Sequence, residues 1–370
     1  MKPTRKWWLL FGGLLAILLV VAIACNDDDD DGGATPTDVT PVAAELQTDF
    51  GVTDTEILLG MHIVQSGNLA AVYQPIAPAM VAYFEKVNTE DGGVCGRSIT
   101  FIVEDDQYSP ATALEKARKL VEQDGILAFV GNLGTPPNSG SIDFVNDPNE
   151  DGDTSDGIPN LWLSSGAPLF NADPTMWPWT TGYIPDYFSE GQVLANYVND
   201  NFADQTAAIL YQGDPFGEPG RDGFKDTFAG EVVAEQSYES SATEITSQLA
   251  TLRDANPDIL YIYSTPAFTA QVFGYMLAND WSPQVIESYV NAPTTLASLV
   301  GGDDGVEVGF ERIAGTVTTS YILDPIADAD DPALVEHARI MDTYSGPPVG
   351  SLSVYAQSLG ETVVETLNTA

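Results

Sequence analysis

The chain carries few of the residue patterns that enzymes use for acid, base or nucleophilic chemistry. His62 and His337 are its two histidines, and Ser66 lies near His62 without a Gly-x-Ser-x-Gly motif around it. Neither a phosphate-binding Gly-rich loop with Lys nor a zinc motif is present. The acids Glu104, Asp105 and Asp106 at a predicted strand end are typical of a cap on the following helix. We therefore expect a protein that is not an enzyme.

Six short loops rich in Gly, Ser and Thr have the composition of a binding site. Each follows a predicted strand, and open α/β sheets bind ligands at the carboxyl ends of their strands. Small residues let hydroxyls and backbone amides approach a ligand, and free amides at a helix start favour an anion. Gly and Ser also form ordinary turns, but six such loops at strand ends favour a ligand site. The loops are residues 66–68, 131–135, 164–167, 214–217, 265–268 and 289–291.

An acidic stretch at residues 147–157 has oxygen-bearing side chains at alternate positions and Gly at the sixth. It resembles the start of an EF-hand calcium loop, although Ile158 replaces the bidentate Glu. A solvated acidic loop explains the stretch equally well. The candidate calcium ligands are Asp147, Asn149, Asp151, Asp153 and Asp156. Apart from this candidate structural calcium, we expect no cofactor.

Charge and length narrow the class of protein. The formal net charge of −41 repels phosphate backbones, so nucleic-acid binding is not expected. The 370 residues suffice for two cores, and two cysteines do not make a disulfide framework. We expect a monomer with an acidic, soluble surface.

The N-terminus predicts export. Residues 1–25 consist of a basic start, an apolar stretch and small residues before Cys25, as in a bacterial lipoprotein signal whose cysteine is lipidated. A signal-anchor helix is the alternative, since the apolar stretch is nearly long enough to span a bilayer. Residues 26–52 predict a disordered acidic linker. Both interpretations place the rest of the chain outside the cytoplasmic membrane, tethered to it.

Short apolar runs alternate with amphipathic stretches from Glu56 onward. This alternation predicts an α/β fold with two doubly wound, Rossmann-like parallel sheets, with a break near residues 180–185. Ser241 and Glu244 have the spacing of a capping box for a following helix. Residues 308–323 read as a long strand, and two helices are predicted after it, at 332–344 and 351–367.

The order of these elements resembles the type I periplasmic solute-binding proteins, in the branch serving branched-chain amino acid and amide importers. The resemblance covers nearly all of residues 53–369. The stretches that carry it are DGGVCGR at 91–97, VEDD at 103–106 with ARKLV at 117–121, VGNLGT at 130–135, GYIPDY at 182–187 and DPFG at 214–217.

The resemblance implies two lobes joined by a hinge. Lobe 1 would span 53–182, lobe 2 would span 183–310, and 311–370 would cross the hinge and return to lobe 1, with an apparent truncation at the C-terminus. It also implies that a small ligand such as an amino acid, an amide or a carboxylate is captured between the lobes and delivered to the permease of an ABC importer. A sensory or receptor domain of the same fold, without transport, is the alternative.

The resemblance further implies where the ligand contacts lie. The family holds a ligand carboxylate on loops that match Leu133, Gly134 and Thr135, and Ser165, Gly166 and Ala167. Phe216 matches an aromatic residue that covers the ligand. Asn291 falls near the family's acid for an α-ammonium group, and its neutral amide disfavours a free amino acid. The strand-end loops add Ser66 and Phe268 as candidates.

Overall fold

The computed structural model describes residues 49–67, 69–171 and 173–370, which belong to one compact unit, Leu46–Ala370. The predicted signal, the lipidation site at Cys25 and most of the linker lie outside the described residues. Within the described ranges, no helix is both long and apolar enough to cross a bilayer.

Two parallel sheets form the framework. The first has the strand order β2-β1-β3-β4-β5, with β1 Glu56–Ile63, β2 Ser98–Asp105, β3 Ala128–Val130, β4 Asn160–Leu163 and β5 Thr180–Gly182. The second has the order β7-β6-β8-β9, with β6 Ala207–Gln212, β7 Val232–Tyr238, β8 Ile259–Tyr263 and β9 Gln284–Glu287. All strand pairs are parallel. The central strands are apolar on both faces because helices cover both sides of each sheet.

Thirteen α-helices are described. Five precede the second sheet's elements: α1 Ala70–Tyr73, α2 Ile76–Lys86, α3 Pro110–Lys119, α4 Thr135–Asn146 and α5 Pro168–Asn171. Six accompany the second sheet: α6 Tyr187–Asn201, α7 Gly217–Thr227, α8 Thr246–Asp254, α9 Pro266–Ala278, α10 Pro293–Gly301 and α11 Val306–Ile313. The last two, α12 Pro332–Thr343 and α13 Ser351–Thr369, return to the first sheet, where Ile340 and Leu359 join the core around β1.

The predicted α/β fold with two parallel-sheet lobes is confirmed. We call the first sheet with its helices lobe 1 and the second lobe 2. The chain crosses twice between them, at residues 183–186 and 316–331. We call these segments the first and second crossing.

The predicted strand at residues 308–323 is wrong. Its first part is the amphipathic helix α11, in which Ile313 is buried while Glu307 and Glu311 face solvent. The rest is irregular, and Val317 makes only an isolated parallel bridge with Ile286. The valines and threonines therefore reflect a helix face and a crossing segment rather than one strand.

The predicted capping box is also wrong. The helix begins at Thr246, after buried Ile245, so Ser241 and Glu244 lie in the preceding turn. Helices α4 and α10 were not predicted, since both begin with Pro and small residues that are also typical of turns.

Candidate functional site

A cleft lies between the carboxyl ends of the two sheets. Its empty space is about 1000 Å³, including the open mouth. Lobe 1 contributes Tyr73, Ile76, Tyr108, Leu133, Gly134, Thr135, Ser164, Ser351, Leu352 and Tyr355. Lobe 2 contributes Tyr187, Phe216, Thr265, Tyr289, Val290, Ala292 and Pro293, and the crossings add Ile184 and residues 318–324.

Aromatic rings form much of this lining. On the lobe 2 side the centroids of Phe216 and Tyr187 are 5.1 Å apart, and those of Tyr187 and Tyr289 are 6.2 Å apart. On the lobe 1 side, Tyr73 and Tyr108 stack with their centroids 6.5 Å apart and an angle of 6° between their planes. A ligand in the cleft therefore contacts aromatic surface from both lobes.

A cluster of hydroxyl groups joins the lobes at the floor of the cleft. Oγ1 of Thr135 lies 2.7 Å from Oγ of Ser165, which also accepts the N–H of Ala167 at 3.2 Å. Tyr187 reaches this cluster from lobe 2. Burial raises the pKa of Tyr187 to about 12, opposed by hydrogen bonds with the Gly166 backbone and with the hydroxyls of Ser165 and Thr135. The phenol is therefore neutral.

A glycine with a positive φ angle stands directly before helix α4, beside the cleft. Gly134 precedes the helix with φ +95°, a conformation that favours glycine. A Cβ at this position would lie 2.5 Å from Cε2 of Tyr108, so the Tyr108 ring packs directly on the bare backbone. Substitution of Gly134 would displace the ring or strain the backbone.

A fully buried polar network lies behind the lobe 1 side of the cleft. Nδ1 of His62 lies 2.8 Å from Oδ2 of Asp106, and its Nε2 lies 3.2 Å from Oγ of Ser141 on α4. The other Asp106 oxygen accepts the N–H of Tyr108 at 2.8 Å. The network therefore fixes α4 and Tyr108 relative to the ends of β1 and β2. Although it contains Ser, His and Asp, all three side chains are fully buried and none of them lines the cleft.

Lobe 2 has a buried carboxylate behind its wall. Glu190 on α6 accepts hydrogen bonds from Tyr263 and Ser288 at one oxygen, and from the Tyr289 backbone and Thr319 at the other, over 2.6–2.9 Å. Burial raises its pKa, and these hydrogen bonds lower it in opposition. Because Thr319 belongs to the second crossing, this carboxylate ties that crossing to lobe 2.

The structure brings together part of the predicted site. Leu133, Gly134, Thr135 and Phe216 line the cleft, and Ser165, Gly166 and Ala167 lie directly behind them. Ser66 is exposed and donates to Asp105 at 2.5 Å. Phe268 packs in the lobe 2 core against Tyr238, and Asn291 is fully buried beside the lining without forming part of it. Whether each residue contacts ligand stays a prediction.

Sequence reasoning predicted a hinge crossing after residue 310, but it missed most of the lining tyrosines and the part of that crossing, residues 318–324, that lines the cleft. Tyr108 follows β2, so the strand-end rule would have found it if applied to that loop. Tyr187 falls inside the GYIPDY stretch. Tyr73 and Tyr355 lie in helices, where spacing alone does not show which face meets a cleft between lobes.

In the acidic stretch at 147–157, carboxylates accept hydrogen bonds from nearby backbone amides. Asp147 accepts the N–H groups of Asp151 and Gly152 at 3.1 and 2.9 Å, and Asp153 accepts that of Ser155 at 2.9 Å. Within the described part of the chain, no three acidic, His or Cys side chains converge as metal ligands. The calcium site stays a prediction.

Comparison with known proteins decides the family. The family model described as periplasmic binding protein matches residues 56–369. The chain belongs to this family, in its type I, branched-chain amino acid branch. Its members are extracytoplasmic solute-binding proteins, so the expectation that the chain is not an enzyme is confirmed.

Individual relatives of the chain are distant. It is 24% identical over 292 residues to the Leu/Ile/Val-binding protein homolog 2 of Brucella abortus (strain 2308), covering 78% of this chain and 73% of the relative. A possible leucine/isoleucine/valine-binding protein from Rhodopirellula baltica SH 1 has a similar fold, with TM-score 0.71 and 18% identity over 85% of this chain and 82% of that one.

A fatty acid ABC transporter substrate-binding protein from Thermomonospora curvata also shares the fold. Its TM-score is 0.70, with 22% identity, and the match covers 87% of this chain and 78% of that one. Proteins with this fold are therefore named for different ligands. The fold alone does not identify the ligand of this chain, so the residues that line the cleft have to be considered.

Proposed function

We propose that this protein captures a small solute between its two lobes, outside the cytoplasmic membrane, and delivers it to the permease of an ABC importer. The observation that carries the proposal is the cleft itself. It lies at the carboxyl ends of both sheets, and both lobes and both crossings line it. A solute held there touches both lobes at once, so binding favours the closed arrangement.

The cleft also supports a role for the predicted contacts. The paired hydroxyls of Thr135 and Ser165 lie at its floor and suit a polar end of the solute, such as an amide or a carboxylate. Phe216 and Tyr187 pack edge to face in the same lining and suit an apolar body. The relatives named for leucine, isoleucine and valine make an amino acid a further option, but among the described lining residues the one acid that could pair with an ammonium group is Asp324, which also accepts hydrogen bonds from its own turn.

A thermal-shift screen of amino acids, amides and organic acids tests the function. We expect at least one solute to raise the melting temperature, with calorimetry then giving its affinity. In Thr135→Ala, that affinity should fall at least tenfold, which corresponds to about 1.4 kcal/mol. Thr251→Ala removes an exposed hydroxyl on the far side of lobe 2 and should leave affinity unchanged. Equal affinity of Thr135→Ala and the unmutated protein would remove Thr135 from the site.

Tethering and transport need separate tests. If Cys25 is lipidated, Cys25→Ser should move the exported protein from the membrane fraction to the soluble one and abolish labelling by a radioactive fatty acid. If the protein serves an importer, deletion of its gene should abolish uptake of the bound solute by cells. Uptake that persists, with loss of a transcriptional response to the solute, would instead support sensing.

A further inference from the structure

We propose that the cleft selects an uncharged solute with an apolar body, in preference to an amino acid zwitterion, an anion or a cation. This rests on the proposed function, because it assumes that a solute is captured in this cleft. Four features of the described residues carry it: the charges of the lining, the helix starts around it, the neutral rings, and one unpaired hydroxyl.

The described lining offers no cationic partner and a single carboxylate. Among the described residues that line the cleft there is no Lys, Arg or His, and Asp324 is the one acid. Oδ1 of Asp324 accepts the N–H groups of Ile326 and Ala327, both at 2.8 Å, so this carboxylate stabilises its own turn. An ion buried without a partner costs several kcal/mol, so an anionic solute is disfavoured throughout the cleft and a cationic one everywhere except beside the second oxygen of Asp324.

Besides cationic side chains, the free backbone N–H groups at the start of a helix commonly bind anions. The helices that begin at this cleft have few such groups. Helix α4 begins Thr135-Pro136-Pro137, so two of its first three residues have no N–H. Helices α9 and α10 begin with Pro266 and Pro293, so each start has one N–H fewer than usual.

Helix α7 has a carboxylate at its start. Oδ1 of Asp214 accepts the N–H groups of Phe216 at 2.8 Å and Gly217 at 3.4 Å, next to the cleft. This acid already uses the amides that an anionic solute would need, and its charge would repel one. The predicted preference for a carboxylate at free helix amides therefore has little support from these four helices.

The aromatic walls are electrically neutral. Burial is the main reason why the pKa values of Tyr73, Tyr108 and Tyr289 lie well above the ordinary value of 10, so these phenols keep their protons. Rings of this kind stack on apolar and aromatic groups. They attract cations by only about 0.5–2 kcal/mol, less than the several kcal/mol that an unpaired buried ion loses.

The polar groups that remain for a solute are hydroxyls. Thr265 lines the cleft and is 1% exposed, and its Oγ1 makes no hydrogen bond within 3.5 Å among the described residues, although its hydroxyl is near enough to that of Tyr238 to lower the Tyr238 pKa. A hydroxyl both donates and accepts, so it pairs fully with a neutral amide, alcohol or phenol. The site is therefore matched to one or two neutral polar groups on an apolar body.

Four compounds with one phenyl body and different charges test the proposal by calorimetry. They are 3-phenylpropanamide (neutral), 3-phenylpropanoate (anion), 2-phenylethylammonium (cation) and phenylalanine (zwitterion). We expect the amide to bind at least tenfold more tightly than each of the others. A charged compound that binds as tightly as the amide would overturn the proposal.

A charge-insertion variant supplies the converse test. Val290 lines the cleft and is partly buried, so Val290→Lys should raise affinity for 3-phenylpropanoate at least tenfold and lower that for the ammonium compound. Val193→Lys, at a position 55% exposed on α6, is the matched control and should change neither. Equal charge preferences in the two variants would show that solutes do not bind at this lining.

If the phenyl compounds prove too large or too small, the same charge series on cyclohexyl and isopropyl bodies replaces them. Mass spectrometry of whatever solute stays bound during purification from the producing cells gives an independent answer. A retained solute that is neutral at pH 7 is expected, and an ionised one would overturn the charge preference alone. Absence of binding in every series, with nothing retained, would overturn the proposed function itself.

Discussion

The two lobes treat buried polar groups differently. In lobe 1, His62, Asp106 and Ser141 satisfy one another, and the buried amides of Asn138 and Asn160 each use one of their two polar atoms. In lobe 2, Glu190 is fully hydrogen-bonded. Its neighbours at the ends of β8 and β9 are not: Thr265, Glu287 and Asn291 all have buried polar atoms without a partner among the described residues.

The contrast is one of degree, since among the described residues both lobes leave buried polar atoms unpaired, but those of lobe 2 are more numerous and include a carboxyl oxygen. Lobe 1 holds α4 and Tyr108 in place through its own network, so its surface exists before a solute arrives. Lobe 2 leaves polar atoms near the cleft unpaired, and each such atom costs about 1–3 kcal/mol. We infer that lobe 2 is the less stable wall and the one that gains most from ligand or from protonation.

The largest expected effect is in lobe 1. Asp106→Ala leaves His62 and the Tyr108 N–H without their partner in a fully buried site, and should lower the free energy of unfolding by about 3–5 kcal/mol. Urea denaturation measures this. Lys86→Ala breaks the partly exposed pair with Asp91 and should cost less than about 1 kcal/mol. Similar losses in the two variants would contradict the view that lobe 1 depends on its buried network.

A substitution at Glu287 is expected to change the free energy of unfolding by a smaller amount, and to raise it. Burial raises the pKa of this carboxyl well above its ordinary value of 4.5. The folded protein therefore keeps a proton that the unfolded chain releases. Stability from the protonated form is complete below pH 4.5 and is lost as the pH rises towards the folded pKa.

Glu287→Gln removes this loss because the amide does not ionise. The variant should be more stable than the unmutated protein at pH 7, by about 1–3 kcal/mol, and the gain should vanish near pH 4.5. Urea denaturation at both pH values checks this. Glu190→Gln is the contrasting variant, since its amide nitrogen cannot accept hydrogen bonds, and it should destabilise at pH 7. A loss of stability in both variants would mean that Glu287 has a partner after all.

The smallest changes in unfolding free energy are expected for two threonines that line the cleft, one from each lobe. Thr135→Val removes a hydrogen bond to Ser165 and should cost about 0.5–1.5 kcal/mol of unfolding free energy. Thr265→Val removes an unpaired hydroxyl while keeping the shape of the side chain, and it should leave stability unchanged or raise it. Denaturation without ligand measures both. An equal loss at Thr265 would show that the lobe 2 wall is already paired.

Much of the framework could be predicted from the sequence, because parallel strands covered on both faces give short apolar runs such as Ile259–Tyr263. The loops at strand ends were predictable for the same reason. The direction of each side chain was not. Phe268 lies in the first turn of α9 and Asn291 in the predicted loop after β9, yet both side chains are buried in lobe 2, because neighbouring residues of a turn point in different directions.

Two of the cleft's tyrosines, and the conformation of its second crossing, could not be predicted from the sequence for a different reason. Tyr73 and Tyr355 reach the cleft only through the packing of α1 and α13 on lobe 1, which involves contacts distant in the chain. The crossing at 316–331 has no repeating pattern, and its valines and threonines imitate a strand. The conformation of such a segment depends on the elements that it connects rather than on the secondary-structure preferences of its own residues.

The anchoring of the two crossings has a mechanical consequence. Tyr183 is bonded to Ser358 of lobe 1 at 2.7 Å, whereas the Pro185 carbonyl accepts from Tyr289 of lobe 2 at 2.6 Å. The pivot of the first crossing is therefore confined to Ile184. In the second crossing, Thr319 moves with lobe 2 and Asp331, which caps α12, moves with lobe 1. The first crossing thus has one residue between its anchors and the second has many, so we expect the first to limit rotation of the lobes more strongly.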